Sequence, residues 1–392
     1  MSFDPGDPEF IADPYPAFAA LRATGEVHHH DGLGLPVAVS HAACSAVLRD
    51  RSLGRLWTDA APVEAFTAFN LLHRNSLLES EPPTHTRLRG LISAAFARGH
   101  TERLRPRVEA LAERMVATLA DRIAADGSAD LIEHLAAPLP VEVIGELLGV
   151  PEEHRPRLRP WSNAIVKMYE YDVPAPVADA AERASREFAD YLGELADERA
   201  VSPQADLISD LVAVRAGTDR LTRDELVATA VLLLMAGHEA TVNVIGNGVL
   251  ALLRHREQWD RLVADPALLP TAVEELIRFD APLQLFERTA IAPVTIGGHR
   301  VAAGDKIAAL LGAAGRDPLV FPEPDRLDVG RSPNPHLGFG AGIHYCVGAP
   351  LARVEVGAAL RALVIRVPGL RLLGVQRRSE FVIRGVRSLL VA

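Results

Sequence analysis

The sequence predicts a mainly α-helical protein with minor β structure, and three observations carry that expectation. Apolar residues recur at helical spacing through most of the 392 residues. Thr222-Arg-Asp-Glu225 is a capping box, and the apolar run behind it fits one long helix reaching about Leu253. Strand-like alternation is confined to short pieces near the start and in the last third of the chain.

In chain order, Pro14 to Thr24 reads as a short helix, and Val27 to Ser40 alternates around Gly32-Leu-Gly34 as a hairpin does. Helical patterns follow at 41–50, 85–97, 103–126, 140–148, 152–169, 177–199 and 204–217. After the long helix, further helices fit 256–264, 268–279 and 349–367. Short β-like pieces lie at 290–296, 300–301 and 381–391.

Composition narrows the function. With 48% apolar and 23% charged residues the chain has enough core to fold. A net charge of −10 speaks against nucleic-acid binding and against a basic membrane-surface role. The acidic start, Met1-Ser-Phe-Asp-Pro-Gly-Asp-Pro-Glu, has no apolar stretch, so neither signal peptide nor anchor is expected. The apolar stretch Leu226 to Gly237 is too short to span a membrane. Cys44 and Cys346 are too few for a disulfide scaffold, and a cytoplasmic enzyme is expected. Length alone suggests two or three domains, but no linker or internal repeat divides the chain. His28-His29-His30 reads as a solvated run in the hairpin rather than a metal site.

The long helix contains Ala236-Gly-His-Glu-Ala-Thr241. Glycine in a helix interior costs about 1 kcal/mol relative to alanine, and Glu239 is a charge in a core-like setting. One reading is a glycine that permits close helix packing and a glutamate facing water. The other is a widened helix passing a bound ligand, with an acid beside it. Leu232, Ala236 and Ala240 share one helix face, where small side chains make room. His238-Glu239 does not continue into a zinc-protease motif, because residue 242 is Val.

Phe339-Gly-Ala-Gly-Ile-His-Tyr-Cys346-Val-Gly-Ala-Pro opens directly into the helix at 349–367. Glycines around one cysteine allow a tight turn and close backbone approach to a large flat group. A helix N-terminus facing the sulfur favours thiolate over thiol. Such a cysteine can be a nucleophile, a redox sensor, an axial metal ligand or a buried small residue. The spacing of Gly338, Gly340 and Gly342 does not meet the dinucleotide-binding pattern.

Taken together, the chain resembles a bacterial cytochrome P450 from end to end. The matching residues are Phe339-Gly340-x-Gly-x-His344-x-Cys346-x-Gly348, Ala236-Gly-x-Glu239, Glu275-Leu-Ile-Arg278, His85-Thr-Arg-Leu-Arg89 and Pro324-Asp-Arg326-Leu-Asp328. The resemblance implies one domain over residues 1–392, with one haem b (iron protoporphyrin IX) between the long central helix and the cysteine loop. It implies Cys346 as the axial ligand of the iron, pushing electron density toward dioxygen. It also implies His85, Arg89, Arg288 and His344 on the propionates, and Glu275, Arg278 and Arg326 as a buried structural network.

The departures from that family are informative. Relatives usually place Thr directly after the helix acid, where its hydroxyl helps deliver a proton, whereas this chain has Ala240, with Thr241 one position on. A methyl group cannot donate a hydrogen bond. A substrate hydroxyl or a water it holds, Thr241 itself, or a reaction needing no relay can each account for this. Glu239, Ala240 and Thr241 are therefore the expected catalytic positions. Leu327 stands where an aromatic is usual, and Gly315 where Asn is usual.

By position, the substrate pocket is expected to use 56–78, Leu232, Leu233, Ala236, Ala240, Leu283, Leu285, Phe286, Val382 and Ile383, which suits a medium-sized, largely apolar small molecule. Asp172 to Pro176 reads as a lid. The resemblance implies a monomeric monooxygenase using O2, with electrons from a ferredoxin or flavodoxin and an NAD(P)H-dependent reductase. Arg353 is a candidate docking charge. Oxidative coupling without oxygen insertion, and a silent haem protein that recruits a partner enzyme, are the alternative functions.

Overall fold

The computed structural model describes residues 3–96, 99–215 and 218–392, so the expected helix ends at Ala97 and Gly217 lie outside the described residues. The chain divides into two compact units. One comprises Met1–Gly54, Glu109–Ala137 and Ala240–Ala392, and the other Arg55–Val108 and Pro138–Glu239.

The first unit is built on a five-stranded sheet. Its strand order is Val27–His30, Leu35–Ala38, Lys306–Leu310, Leu285–Ala290 and Leu53–Gly54. The expected hairpin forms, with Val27 opposite Ala38, and Gly34 takes the left-handed turn conformation at φ 67°. Lys306–Leu310 is an added strand. Four of its five residues are buried, so its sequence is a continuous apolar run rather than an alternation. Ser40 caps the helix His41–Arg49 by accepting from the Ala43 N–H at 3.0 Å. That helix seats Cys44, whose thiol donates to Ala38 O at 3.1 Å and is pushed well up by burial. The C-terminal β segment is shorter than expected. Val386–Val391 pairs antiparallel with Leu372–Arg377 and with Ala129–Asp130. The helices Arg256–Ala264, Leu269–Phe279 and Ala349–Arg366 complete this unit.

The second unit is helical. Glu182 on the helix Ala175–Val201 accepts from the backbone N–H groups of Ala68 and Phe69, at 3.1 and 2.9 Å. It thereby supplies the N-terminal partners that the helix Thr67–Arg74 lacks in its own sequence. Trp161 stacks on Phe188 at 5.1 Å, and Arg199 ties Asp206 (2.6 Å) to Gly149 O (2.9 Å). The single helix expected over 152–169 is instead three pieces, a 3-10 turn Glu152–Arg157, the helix Leu158–Val166 and a 3-10 turn Lys167–Tyr169. Pro156 and Pro160, which lack the N–H a helix interior needs, stand where the turn gives way to the helix.

The long helix runs over Arg223–Arg254. Both halves of its capping box are made: Glu225 N–H donates to Thr222 Oγ1 at 3.2 Å, and Thr222 N–H to Glu225 Oε2 at 2.9 Å. By length and hydropathy it would suffice to cross a membrane, yet 78% of its most apolar window is buried inside the protein, as in a core helix. It is α-helical throughout, so the widened turn is not present. Gly237 has a packing reason instead. A Cβ there would stand 3.2 Å from Ile144 Cδ1 of the helix Pro138–Leu148.

Candidate active site

The cysteine loop lies in the first unit. Cys346 N–H donates to Phe339 O at 3.0 Å, and Gly340 N–H to Leu337 O at 2.8 Å, which closes a tight turn. Gly340 and Gly342 adopt φ 70° and 69°, a region that a side chain strains. At Gly342 a Cβ would also stand 2.7 Å from Leu48 O. Gly348 caps the helix Ala349–Arg366, and a Cβ there would sit 3.9 Å from the Cys346 sulfur. The half-buried sulfur therefore meets the start of an 18-residue helix with no side chain from Gly348 beside it.

Beneath this loop, Glu275 and Arg278 are fully buried and joined by two hydrogen bonds of 2.7 and 2.8 Å. Arg278 also donates to Gly315 O and Pro324 O, at 2.7 and 2.8 Å. The second guanidinium on Glu275 belongs to Arg331 (3.1 Å), and Asn334 and the Asp328 N–H add to it. This corrects the expected role of Arg326. Its side chain turns outward to Glu323, and it enters the network only through its carbonyl oxygen, which accepts from Arg278 and Arg331. Gly315 is also explained, because a Cβ there would stand 2.7 Å from Arg278 O.

Arg353, the candidate docking charge, is already paired within the protein. It makes two hydrogen bonds to Glu274, at 2.6 and 2.9 Å, and its guanidinium lies 4.4 Å from the Phe339 ring centroid. His336 Nδ1 accepts from Gly338 N–H, which leaves Nε2 to donate to Glu274 at 3.1 Å. Burial opposes the charge on Glu274, but the contacts from His336 and Arg353 outweigh it and hold its pKa down at about 2.

In the first unit, Arg288 is buried, with Nη1 donating to Glu287 O at 2.8 Å, and His344 is half-buried on the cysteine loop. In the second unit, His85 is buried on the helix Thr84–Phe96, one turn before a half-buried Arg89. Arg89 makes no hydrogen bond or ion pair among the described residues. On the long helix, Val231, Leu234 and Met235 are buried while Leu232 is half-buried and Ala236 exposed, and Ala240 continues that row half-buried. Glu239 and Thr241 are both 3% exposed.

Of the expected pocket residues, Leu283 and Ile383 are brought together as an isolated antiparallel bridge, and Gln284 N–H donates to Val382 O at 2.9 Å. Phe286 Cε2 would lie 3.9 Å from a Cβ at Gly340. Leu285 opens the strand Leu285–Ala290 and is 3% exposed. Leu233 is also buried. In the second unit, Trp57 stacks on His73 at 4.5 Å, and His73 Nε2 meets Tyr169 Oη at 3.1 Å. Tyr169 gave no sequence signal, because its partner lies 96 residues away. The histidine run is not uniformly solvated: His30 is buried and bonded to Phe3 O, and His28 bonds Leu21 O. No cluster of metal-binding side chains occurs among the described residues.

A cysteine at a helix start, inside a glycine loop braced by a buried ion-pair network, is an arrangement that suits a thiolate ligand. The cytochrome P450 family model matches residues 59–366. The chain is 43% identical to cytochrome P450 monooxygenase PikC of Streptomyces venezuelae, over 93% of this chain and 86% of that protein. It is 41% identical to 6-deoxyerythronolide B hydroxylase of Saccharopolyspora erythraea, over 79% of this chain and 76% of that protein. The crystal structure of P450BioI in complex with hexadec-9Z-enoic acid ligated acyl carrier protein superimposes with a TM-score of 0.92 at 34% identity, covering 98% of both chains. The chain belongs to the bacterial cytochrome P450 family and is a P450 monooxygenase.

That family implies a haem-thiolate cofactor, and the residues present fit one. Gly348 leaves no side chain beside the sulfur, where a Cβ would stand 3.9 Å away. Arg89 is a half-buried cation with no anion beside it among the described residues, as expected where a propionate belongs.

Proposed function

We propose that this monooxygenase hydroxylates a medium-sized, largely apolar specialised metabolite that carries its own hydroxyl group. When bound, the haem b supplies the activation of O2. Cys346 holds its iron, and Arg89, His85, Arg288 and His344 neutralise its propionates. Glu239 is the acid in the buried stretch of the long helix, next to Ala240.

One observation carries the substrate reading. Ala240 presents a methyl group beside Glu239 on a regular helix, and Thr241 is buried on the next position. Without a widened turn, Thr241 points about 100° around the helix from Ala240, off the row that Ala240 shares with Ala236. The missing hydroxyl is therefore supplied by the substrate or by a water it holds. One relative whose name gives a substrate, 6-deoxyerythronolide B hydroxylase, supports the class of compound.

Residues 1–392 act as one domain in the cytoplasm, as a monomer. The family match, which takes in parts of both compact units, supports the single domain. Electrons come from a ferredoxin or flavodoxin with an NAD(P)H-dependent reductase. The deciding experiment is product formed per reductant consumed. Ala240→Thr should leave coupling of the native substrate unimproved but raise it for an analogue lacking the hydroxyl. An unchanged ratio for both compounds overturns the reading.

A further inference from the structure

A cleft of about 550 Å³ opens within the first unit, between the helix Tyr15–Arg22, the last turns of the long helix and the strand Leu372–Arg377. The monooxygenase reading gives it no role. Most of its charges are already satisfied. Buried Asp280 accepts from Tyr15 Oη at 2.7 Å and from Arg384 Nε at 2.6 Å. The other Arg384 nitrogens donate to the carbonyls of Ile11 and Ala12. Arg316 is held by Phe279 O and Asp325, its guanidinium 3.8 Å from the Phe279 centroid and 4.1 Å from that of Tyr15.

Arg377 is different. Its side chain is 17% exposed, yet Nη1 is buried without a hydrogen bond, and its nearest carboxylate oxygen, Asp280 Oδ2, is 3.7 Å away. Arg254 lines the same cleft, exposed and without an ion pair among the described residues. Four arginines thus face three aspartates, and the third, Asp13, sits exposed, accepting from Tyr15 N–H at 3.3 Å. Asn247, 1% exposed, also lines the cleft. Its Nδ2 donates to Arg384 O at 3.1 Å, so the amide orientation is fixed and the buried, unpartnered Oδ1 is an acceptor.

We propose that this cleft binds a phosphomonoester, its phosphate held by Arg377 and Arg254 and a hydroxyl on its body donating to Asn247 Oδ1. A largely desolvated guanidinium without an acceptor is costly, and a phosphate matches its planar fork. Two cations without carboxylate hydrogen bonds match a dianion better than a monoanion. The cleft is larger than a phosphate alone and lies within the range typical of metabolite sites.

The test is calorimetric titration of the holoenzyme at fixed ionic strength with inorganic phosphate and with glycerol 3-phosphate. Both should bind saturably, glycerol 3-phosphate more tightly. Arg377→Gln and, separately, Arg254→Gln should weaken both by roughly tenfold or more, the scale of a lost charge-assisted hydrogen bond. Arg254 is exposed, so its replacement does not put folding at risk. Asn247→Leu should remove the preference for glycerol 3-phosphate. Absence of saturable binding of either probe to the wild type, or equal affinities in wild type and both arginine variants, overturns the proposal.

Discussion

Arg353 and Glu274 form a two-point ion pair on neighbouring helices, and the arginine closes over the ring of Phe339, the first residue of the cysteine loop. The pair joins the helix that follows Cys346 to the helix that carries Glu275 and Arg278. Its charge is paired with Glu274, and through Phe339 it braces the loop. Arg353→Ala should alter the stability of the loop while leaving the salt dependence of reduction by a ferredoxin unchanged, measured by stopped-flow at several ionic strengths.

The same pair sets an acid limit. Glu274 has a folded pKa of about 2, below its ordinary 4.5. Its contribution to stability is thus fully present above about pH 4.5 and is lost as pH falls toward 2. Glu274→Gln should be less stable than wild type at neutral pH, and that difference should shrink below pH 4.5 in denaturant titrations.

Glu275 and Arg278 have no solvent exposure, and each leaves a buried charge behind if the other is removed. Glu275→Gln should cost about 3–5 kcal/mol, read from thermal or denaturant unfolding of the holoenzyme. Arg326→Ala should cost under about 1 kcal/mol, because its guanidinium reaches only an exposed Glu323. Equal losses at 275 and 326 would contradict the network described.

Arg89→Gln should speed haem loss to an acceptor protein by roughly tenfold or more, the scale of one charged hydrogen bond. Far-ultraviolet circular dichroism of the apoprotein should not change, since the guanidinium makes no hydrogen bond or ion pair among the described residues. Retention identical to wild type would remove Arg89 from the propionate set.

Gly237→Ala should be close to neutral, its helix-propensity gain of about 1 kcal/mol being offset by contact with Ile144. Adding Ile144→Val should recover that gain. The double-mutant cycle should therefore show a favourable coupling of about 1 kcal/mol.

Much of this was legible in the residues themselves. The capping box, the glycines around Cys346 and the Glu275–Arg278 spacing are local signals, and each acts within a few residues of where it is written. Long-range partners were not legible. Arg331 outcompetes Arg326 for Glu275 because the chain turns between them, and no pattern in the sequence records that turn. The strand Lys306–Leu310 is buried along most of its length, so the alternation that marks a half-exposed strand is missing. The widened helix was inferred from Gly237 and Glu239, but the glycine answers to a neighbouring helix 93 residues earlier in the chain.

Gly315 gives this last point a practical edge. Its backbone lies so close to the Arg278 carbonyl that no β-carbon fits, while its own carbonyl receives the Arg278 guanidinium. Replacing a residue by the one its relatives prefer is a common route to a sturdier protein. Here the preferred asparagine would push against the backbone that bears the network. A consensus-derived library built on this chain should therefore hold position 315 fixed, even where family statistics vote to change it.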